Sequence, residues 1–434
     1  MQRIPIITIC HSARFHYLLD FVHSLYEDFY LVPVSDPQGN AAIWYGSQPP
    51  PGSNGLYIPA SGILEEGALI TNVSFSKTGS GLPILFPVEG AGLGFDLLGS
   101  IFWMMSRMEE YGHSDRDEHG RFPLAASAAG KARLHRIPVC DLWLDHLIEI
   151  LKREFPGLSP TRKKNAPRSI GVDIDFAWKY RYKPWYRSAA GLSRDLLSFR
   201  WQAFWSRIAT LLGKQEDPYD CYNPLIEMAR GRAEIRFFIL SGGKSRFDRN
   251  HPIGGAAFRK LLSGQLRDQQ IGIHPSYSAY LDQENLDREI RALQDASARM
   301  IATSRFHYLR LNIPESYRQL IRAGITEDYS LGYAEDLGFR AGTCHPFHWY
   351  DLEAEKPTIL MLHPFQAMDR TLKDYLKLTP AEASEEIRIL LDQCEKYGAG
   401  LHLIWHNSSF DPGEGWAGWE QVLEKFLSWK GKDG

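Results

Sequence analysis

Ser169-Ile170-Gly171-Val172-Asp173-Ile174-Asp175-Phe176-Ala177-Trp178 is an apolar run that ends in two carboxylates one residue apart, with aromatic and basic side chains directly after it. Ile170 to Ile174 predicts a short buried strand, and in a parallel α/β sheet the ends of such strands are where sites are built. Residues at i and i+2 share one face of a strand. Two carboxylates so near each other oppose one another's ionisation unless a cation intervenes, which suits a metal with a neighbouring base, or an acid/base couple. An isolated Asp-x-Asp also caps helices and forms Asx turns, so the pair gains meaning only from other residues.

Downstream, strand and helix signals alternate. Further strands are expected at Ile235 to Leu240, Gln270 to His274, His307 to Leu311, Ile325 to Tyr329, Phe339 to Thr343, Thr358 to His363 and Leu401 to His406. Helices are expected from Asn285, from Pro314 to Ala323 with Gly324 closing it, and from Thr379-Pro380-Ala381-Glu382, a capping box with proline at the first helical position, to Gly398. Such units imply a mostly parallel sheet, and about eight strands are enough to close a barrel. Asp175, His274, His307, Asp328, His345, His363 and His406 fall at or near strand ends, although His307 opens its strand as drawn. Imidazoles and carboxylates converging on one rim are the ordinary ligands of a catalytic divalent metal.

Upstream, Ile4 to Ile9 and Ala41 to Tyr45 predict strands, and Ala13 to Tyr30, Phe95 to Tyr111 and Leu142 to Phe155 predict helices. The Met residues of the second helix are read as core packing. Pro49-Pro50-Pro51-Gly52 can only be loop, and Asp115 to Phe122 is a charged, salt-bridged loop holding His119. Ser159 to Pro167 is polar, basic and flanked by prolines, which makes it the linker between residues 1–165, a smaller α/β domain, and the larger unit 166–434. With 434 residues, two domains are the natural expectation.

A 44% hydrophobic, 23% charged composition is that of a soluble globular chain, and a net charge of -3 leaves no whole-chain footprint for nucleic acid or an anionic membrane. Twelve Trp and 20 Tyr fit sugar stacking and dense packing alike. Cys10, Cys140, Cys221, Cys344 and Cys394 are odd in number and far apart, which argues against a zinc-thiolate site and a disulfide framework. The short apolar run at the N-terminus lacks the form of a signal peptide, and no run could span a bilayer, so a cytoplasmic location is expected.

Gly171-Val172-Asp173-Ile174-Asp175, Gly272-Ile273-His274-Pro275-Ser276, Ser304-Arg305-Phe306-His307-Tyr308 and Leu403-Ile404-Trp405-His406-Asn407, in that order, resemble the polysaccharide deacetylases of carbohydrate esterase family 4, the nodulation-factor deacetylase homology group. The resemblance implies an α/β fold with an irregular (β/α)7 barrel, here preceded by an N-terminal domain like that of a bacterial subgroup. It also implies a divalent metal, with zinc first and cobalt or nickel as alternatives, and removal of acetyl groups from N-acetylated carbohydrate. The family's base would fall on Asp173, its metal carboxylate on Asp175 and its first metal histidine on His274. The family's two Asp are adjacent, whereas Ile174 separates them here, and the second metal histidine is replaced by Ser278. His307 is the candidate to complete the metal set. Arg305 would orient Asp173, and His406 would be the general acid, with His363 its rival. Trp178, Tyr308 and Trp405 are the residues assigned to stacking on sugar, with Trp349 and Tyr350 as further candidates. Two other readings fit the same residues: a barrel that has lost its metal and binds a glycan or protein, and a hydrolase of another non-peptide C–N bond.

Overall fold

The computed structural model describes every residue except 1, 38–40, 49–54, 90–91, 114, 165–166, 244 and 430–434. The loop expected at Pro49 to Gly52 and the residues on either side of the 165/166 domain boundary therefore lie outside the described residues. Near the N-terminus, β1 (Gln2–Thr8), β2 (Phe29–Pro33), β3 (Ala42–Gly46) and β4 (Gly55–Pro59) form a parallel sheet in the order β2-β1-β3-β4. The helix expected through Tyr30 spans only Ala13–Ser24, opened by the Ser12 hydroxyl accepting the Phe15 N–H. Phe29 and Leu31 instead pair with Gln2 and Ile4, because burying alternate residues on a sheet outweighs continuing the helical stripe. β5 (Ser76–Lys77) and β6 (Pro83–Ile84) make a small hairpin. Helix Leu97–Ser106 is buried on every side, so its methionines are core, as expected.

The second sheet holds β7 (Ser169–Ile174), β8 (Glu234–Ile239), β9 (Gln270–Ile273), β10 (Thr303–Ser304), β11 (Glu327–Asp328), β12 (Phe347–Asp351), β13 (Lys356–Leu362), β14 (Ala367–Met368) and β15 (His402–His406). Its order is β12-β13-β11-β10-β9-β8-β7-β15-β14, parallel except for the β12/β13 hairpin. Only residues 363–366 join β13, next to one edge, to β14 at the other. Four residues reach roughly 15 Å, whereas seven flat strand spacings would need about 34 Å. The sheet must therefore curl until its edges nearly meet.

Closure is not completed by strand pairing among the described residues. β14 is two residues long, and the loop before β12 fills the seam through Gly338 N–H donating to the Gln366 carbonyl and Phe365 N–H to the Leu331 carbonyl. Phe339 to Thr343, expected as a strand, belongs to that buried loop, and β12 takes its place in the sheet. His307 to Leu311 is likewise not a strand. The chain leaves β10 and turns tightly, with Tyr308 and Leu309 at positive φ, which puts His307 beyond a strand end.

One contiguous apolar core runs from Ile4 to Leu427 through both parts of the chain. Tyr17 and Phe102 each pack on Tyr350 with ring centroids 5.1 Å apart. Buried Arg107 and Arg340 share Glu110 across the same boundary, with Oε1 2.8 Å and Oε2 2.7 Å from the two guanidinia.

Candidate metal centre

Strand alternation aims one set of side chains at the hollow of the curled sheet. On β7 this set includes Gly171 and Asp173, with Asp175 following in phase, and on β15 it includes His402 and His406. Arg305, at the end of β10, lies wholly buried among them. Its guanidinium donates to Asp173 Oδ1 at 2.8 Å, to the Tyr329 carbonyl and to His402 Nε2, and stacks over Phe238 at 4.3 Å. Burial, then the Arg305 charge, push the His402 pKa well below its usual value, so the ring accepts as a neutral imidazole. Gly171 is required here: a Cβ at that position would lie 2.2 Å from Arg305 Nη1.

Above this layer, Asp175 Oδ1 lies 3.3 Å from His274 Nε2 and 3.6 Å from His307 Nε2. Donor atoms held at ~2.1 Å around a tetrahedral zinc would stand about 3.4 Å apart. Both histidines are anchored through the other nitrogen: His274 Nδ1 on the Arg305 carbonyl at 2.5 Å, His307 Nδ1 on Asp248 Oδ1 at 3.2 Å. That anchoring turns each Nε2 lone pair toward Asp175. Asp175 Oδ1 and His274 Nε2 are buried and have no hydrogen-bond partner, a costly state unless a cation is accommodated. The three residues thus fit a divalent metal by donor type, spacing and unmet demand. Burial alone would raise the Asp175 pKa, but the imidazoles of His307, His274 and His406 hold it well below the carboxylate range.

His406 faces the cluster from β15, its Nε2 3.8 Å from Asp175 Oδ2. Its Nδ1 is 2.8 Å from Asp369 Oδ1, and Asp369 is itself fixed by the His406 N–H and the Ser409 hydroxyl. Burial opposes protonation of His406, yet Asp369 and then Asp175 raise its pKa to about 9.

A family model described as "Family of unknown function (DUF7033)" matches residues 4–156. No curated protein matches. Among solved structures, the chain is similar to a protein described as a "putative polysaccharide deacetylase" from Mycobacterium smegmatis, at 16% identity and a TM-score of 0.38, covering 61% of this chain and 83% of that one. A likeness of that size says nothing of activity, which has to be read from the residues.

Of the seven residues at strand ends, Asp175, His274, His307 and His406 converge, and Asp328, His345 and His363 do not. Asp328 is buried and accepts from the Ser304 and Ser330 hydroxyls. His363 stacks on Tyr329 at 4.2 Å and faces Glu327. His345 lies beside Asp141 and Cys344 in a second group with donor atoms within 4.8 Å of one another; there the Arg162 guanidinium, 3.8 Å from Asp141 Oδ1, already supplies positive charge.

Two of the stacking assignments fail. Trp405 is fully buried on the outer face of β15 against Trp419, and Trp178 packs among Tyr182, His251 and Phe258. Trp349 and Tyr350 are core as well. Tyr308 does reach the rim, where it packs with Phe247, Tyr277 and His119. His119 arrives on the charged loop 115–122, whose Arg121 pairs with Asp117 at 2.6 Å and donates to the Tyr308 carbonyl.

Sequence reasoning missed Asp248, Asp369 and His402. Ser278 donates to Asp248 Oδ2 at 2.8 Å, so the position where the resemblance implies a metal histidine instead steadies the carboxylate that orients His307. Asp369 stands between Met368 and Arg370 in a mixed stretch with no local pattern to single it out.

Proposed function

We propose that this chain is a metal-dependent hydrolase that removes acetyl groups from N-acetylated carbohydrate. The observation that carries the reading is the convergence of Asp175, His274 and His307, with unsatisfied buried donors, beside a carboxylate and an imidazole that each have a dedicated orienting partner. The four sequence motifs that resemble deacetylases supply the same residues, with His307 in place of the second-motif histidine. Asp175, His274 and His307 would hold the metal. When bound, it supplies Lewis acidity toward a carbonyl and lowers the pKa of water.

The remaining chemistry belongs to side chains. Asp173, held by Arg305 and 3.8 Å from His274 Nε2, is placed to accept a proton from water entering at the cluster. His406, protonated near neutrality and backed by Asp369, is placed on the other side to donate to the departing nitrogen. As the C–N bond breaks, the water oxygen stays with the acyl carbon as acetate and the amine leaves neutral or protonated. Tyr308 and its aromatic neighbours offer a rim on which a sugar face can rest.

The test is acetate release from chitooligosaccharides and acetylated amino sugars with added zinc, cobalt or nickel, alongside Asp173→Asn and Asp175→Ala. Both substitutions should abolish release; release undiminished in both ends the proposal.

A further inference from the structure

Between β7 and β8 the chain projects a helical hairpin, Trp185–Leu197 and Trp201–Leu211. The two helices are held to each other by the buried pair Asp195–Arg207 at 2.7 Å. On the second helix Trp201, Phe204, Trp205, Ile208 and Leu211 repeat at helical spacing. Such a stripe ordinarily faces a core. Here Trp201 is 50% exposed and Trp205 62%, while Trp185 and Leu197 on the first helix and Phe199 in the turn are 82%, 78% and 76% exposed. Single exposed apolar residues need no explanation, but this many on one helical hairpin, with Phe199, Trp201, Phe204 and Trp205 in successive ring contact, mark an interaction surface.

Charge identifies the occupant. Residues 179–214 contain eight Lys and Arg and one acid, Asp195, which Arg207 already neutralises, in a chain whose net charge is -3. A cavity of about 990 Å³ lies behind the hairpin, lined by Lys183, Arg187, Arg194, Arg246 and Arg249, and extends to Phe176 and Asp248 beside the metal cluster. Lys183 is held below its ordinary pKa by burial and then by Arg207, with Asp217 opposing the shift and Arg187 adding to it. Lys179 at the cavity wall is paired with Asp411 and Glu414, so the excess positive charge is carried by Arg187, Arg194, Arg246 and Arg249. Exposed Trp and Leu on helices flanked by Lys and Arg are the composition of segments that lie in the interface of an anionic bilayer. A second copy of this chain would bring the same positive face against itself.

We propose that the 185–211 hairpin docks this protein peripherally on an anionic phospholipid surface, with the mouth of the metal centre turned toward the lipid headgroups. No helix of the described residues is long and apolar enough to cross a membrane, so docking would be reversible and salt-sensitive.

The experiment is flotation of the full chain with vesicles of phosphatidylcholine alone or with phosphatidylglycerol added. The chain should float with the anionic vesicles, roughly tenfold less with neutral ones or in about 0.5 M salt, and its Trp emission should shift to the blue on binding. Trp201→Ser with Trp205→Ser, and separately Arg187→Glu with Arg194→Glu, should each cut flotation by roughly tenfold while leaving the thermal melt unchanged. No flotation, flotation untouched by both pairs, or a concentration-dependent dimer that the Trp pair dissolves with no vesicle binding would overturn it. The readout needs no acetate release, so this proposal and the hydrolase reading stand or fall separately.

Discussion

Asp369→Asn tests the acid side of the proposed site through a measurable proton equilibrium. Asp369 Oδ1 sits 2.8 Å from His406 Nδ1, in a place where burial by itself would lower the histidine pKa. A rise from 6.5 to about 9 is worth about 3 kcal/mol of preference for the charged ring, and Asp369 heads the groups that raise it. A folded pKa above the unfolded one stabilises the native state fully below pH 6.5, and that stabilisation is lost as pH rises through about 9. Asn keeps the shape but removes the charge. In chelator-treated protein, the His406 midpoint read by NMR should fall by about one pH unit or more, and urea unfolding should lose at least ~1 kcal/mol of its decline between neutral pH and pH 9. With substrate and metal, the alkaline limb of the rate profile should move to lower pH. A His406 midpoint that stays near 9 in the variant refutes the coupling.

His307→Ala should abolish metal retention measured by elemental analysis and lower acetate release by roughly a thousandfold or more, while Ser278→Ala, which loses one hydrogen bond to Asp248, should cost about tenfold or less. Gly171→Ala must push a methyl against Arg305 and should destabilise the fold by about 1–3 kcal/mol in chemical denaturation. Asp336 is held at about pKa 2 because hydrogen bonds from His135 and Arg136 outweigh its burial. Its contribution is present above the unfolded value of about 4 and lost as pH falls through about 2, so Asp336→Asn should cost about 1 kcal/mol near neutrality and much less near pH 2, by thermal melts at both. Chelation should lower the melting temperature of wild type and leave Asp175→Ala unmoved, since a ligand at a hundred times its Kd adds about 2.7 kcal/mol.

Much of the curled sheet was legible because strands buried on both faces read as apolar runs, and β7 (Ser169–Ile174) begins one residue before the expected Ile170 and ends at the expected Ile174. β11 (Glu327–Asp328) falls inside the expected Ile325 to Tyr329, but β10 (Thr303–Ser304) was not legible, since pairing that brief leaves little periodicity to read. His307 was drawn inside a strand for the same reason, and only the turn at Tyr308 shows how it reaches Asp175. The metal trio was visible through its residue types. The partners Asp248 and Asp369 were not, because an orienting carboxylate is recognisable only once the histidine it faces is known. Trp405 was misread because His406, one residue on, points inward, and alternation sends its neighbour out into the core. The hairpin was hidden by averaging: its positive charge vanishes into a chain total of -3.

Loop 115–122 builds part of the rim, with His119 against Tyr308 and Arg121 tied to the Tyr308 carbonyl. A fragment cut to begin at the second sheet would forfeit that wall as well as the part of the shared core built from Ile4 to Leu158. Changes in residues 115–122 therefore alter what rests on this rim while leaving Asp175, His274 and His307 untouched.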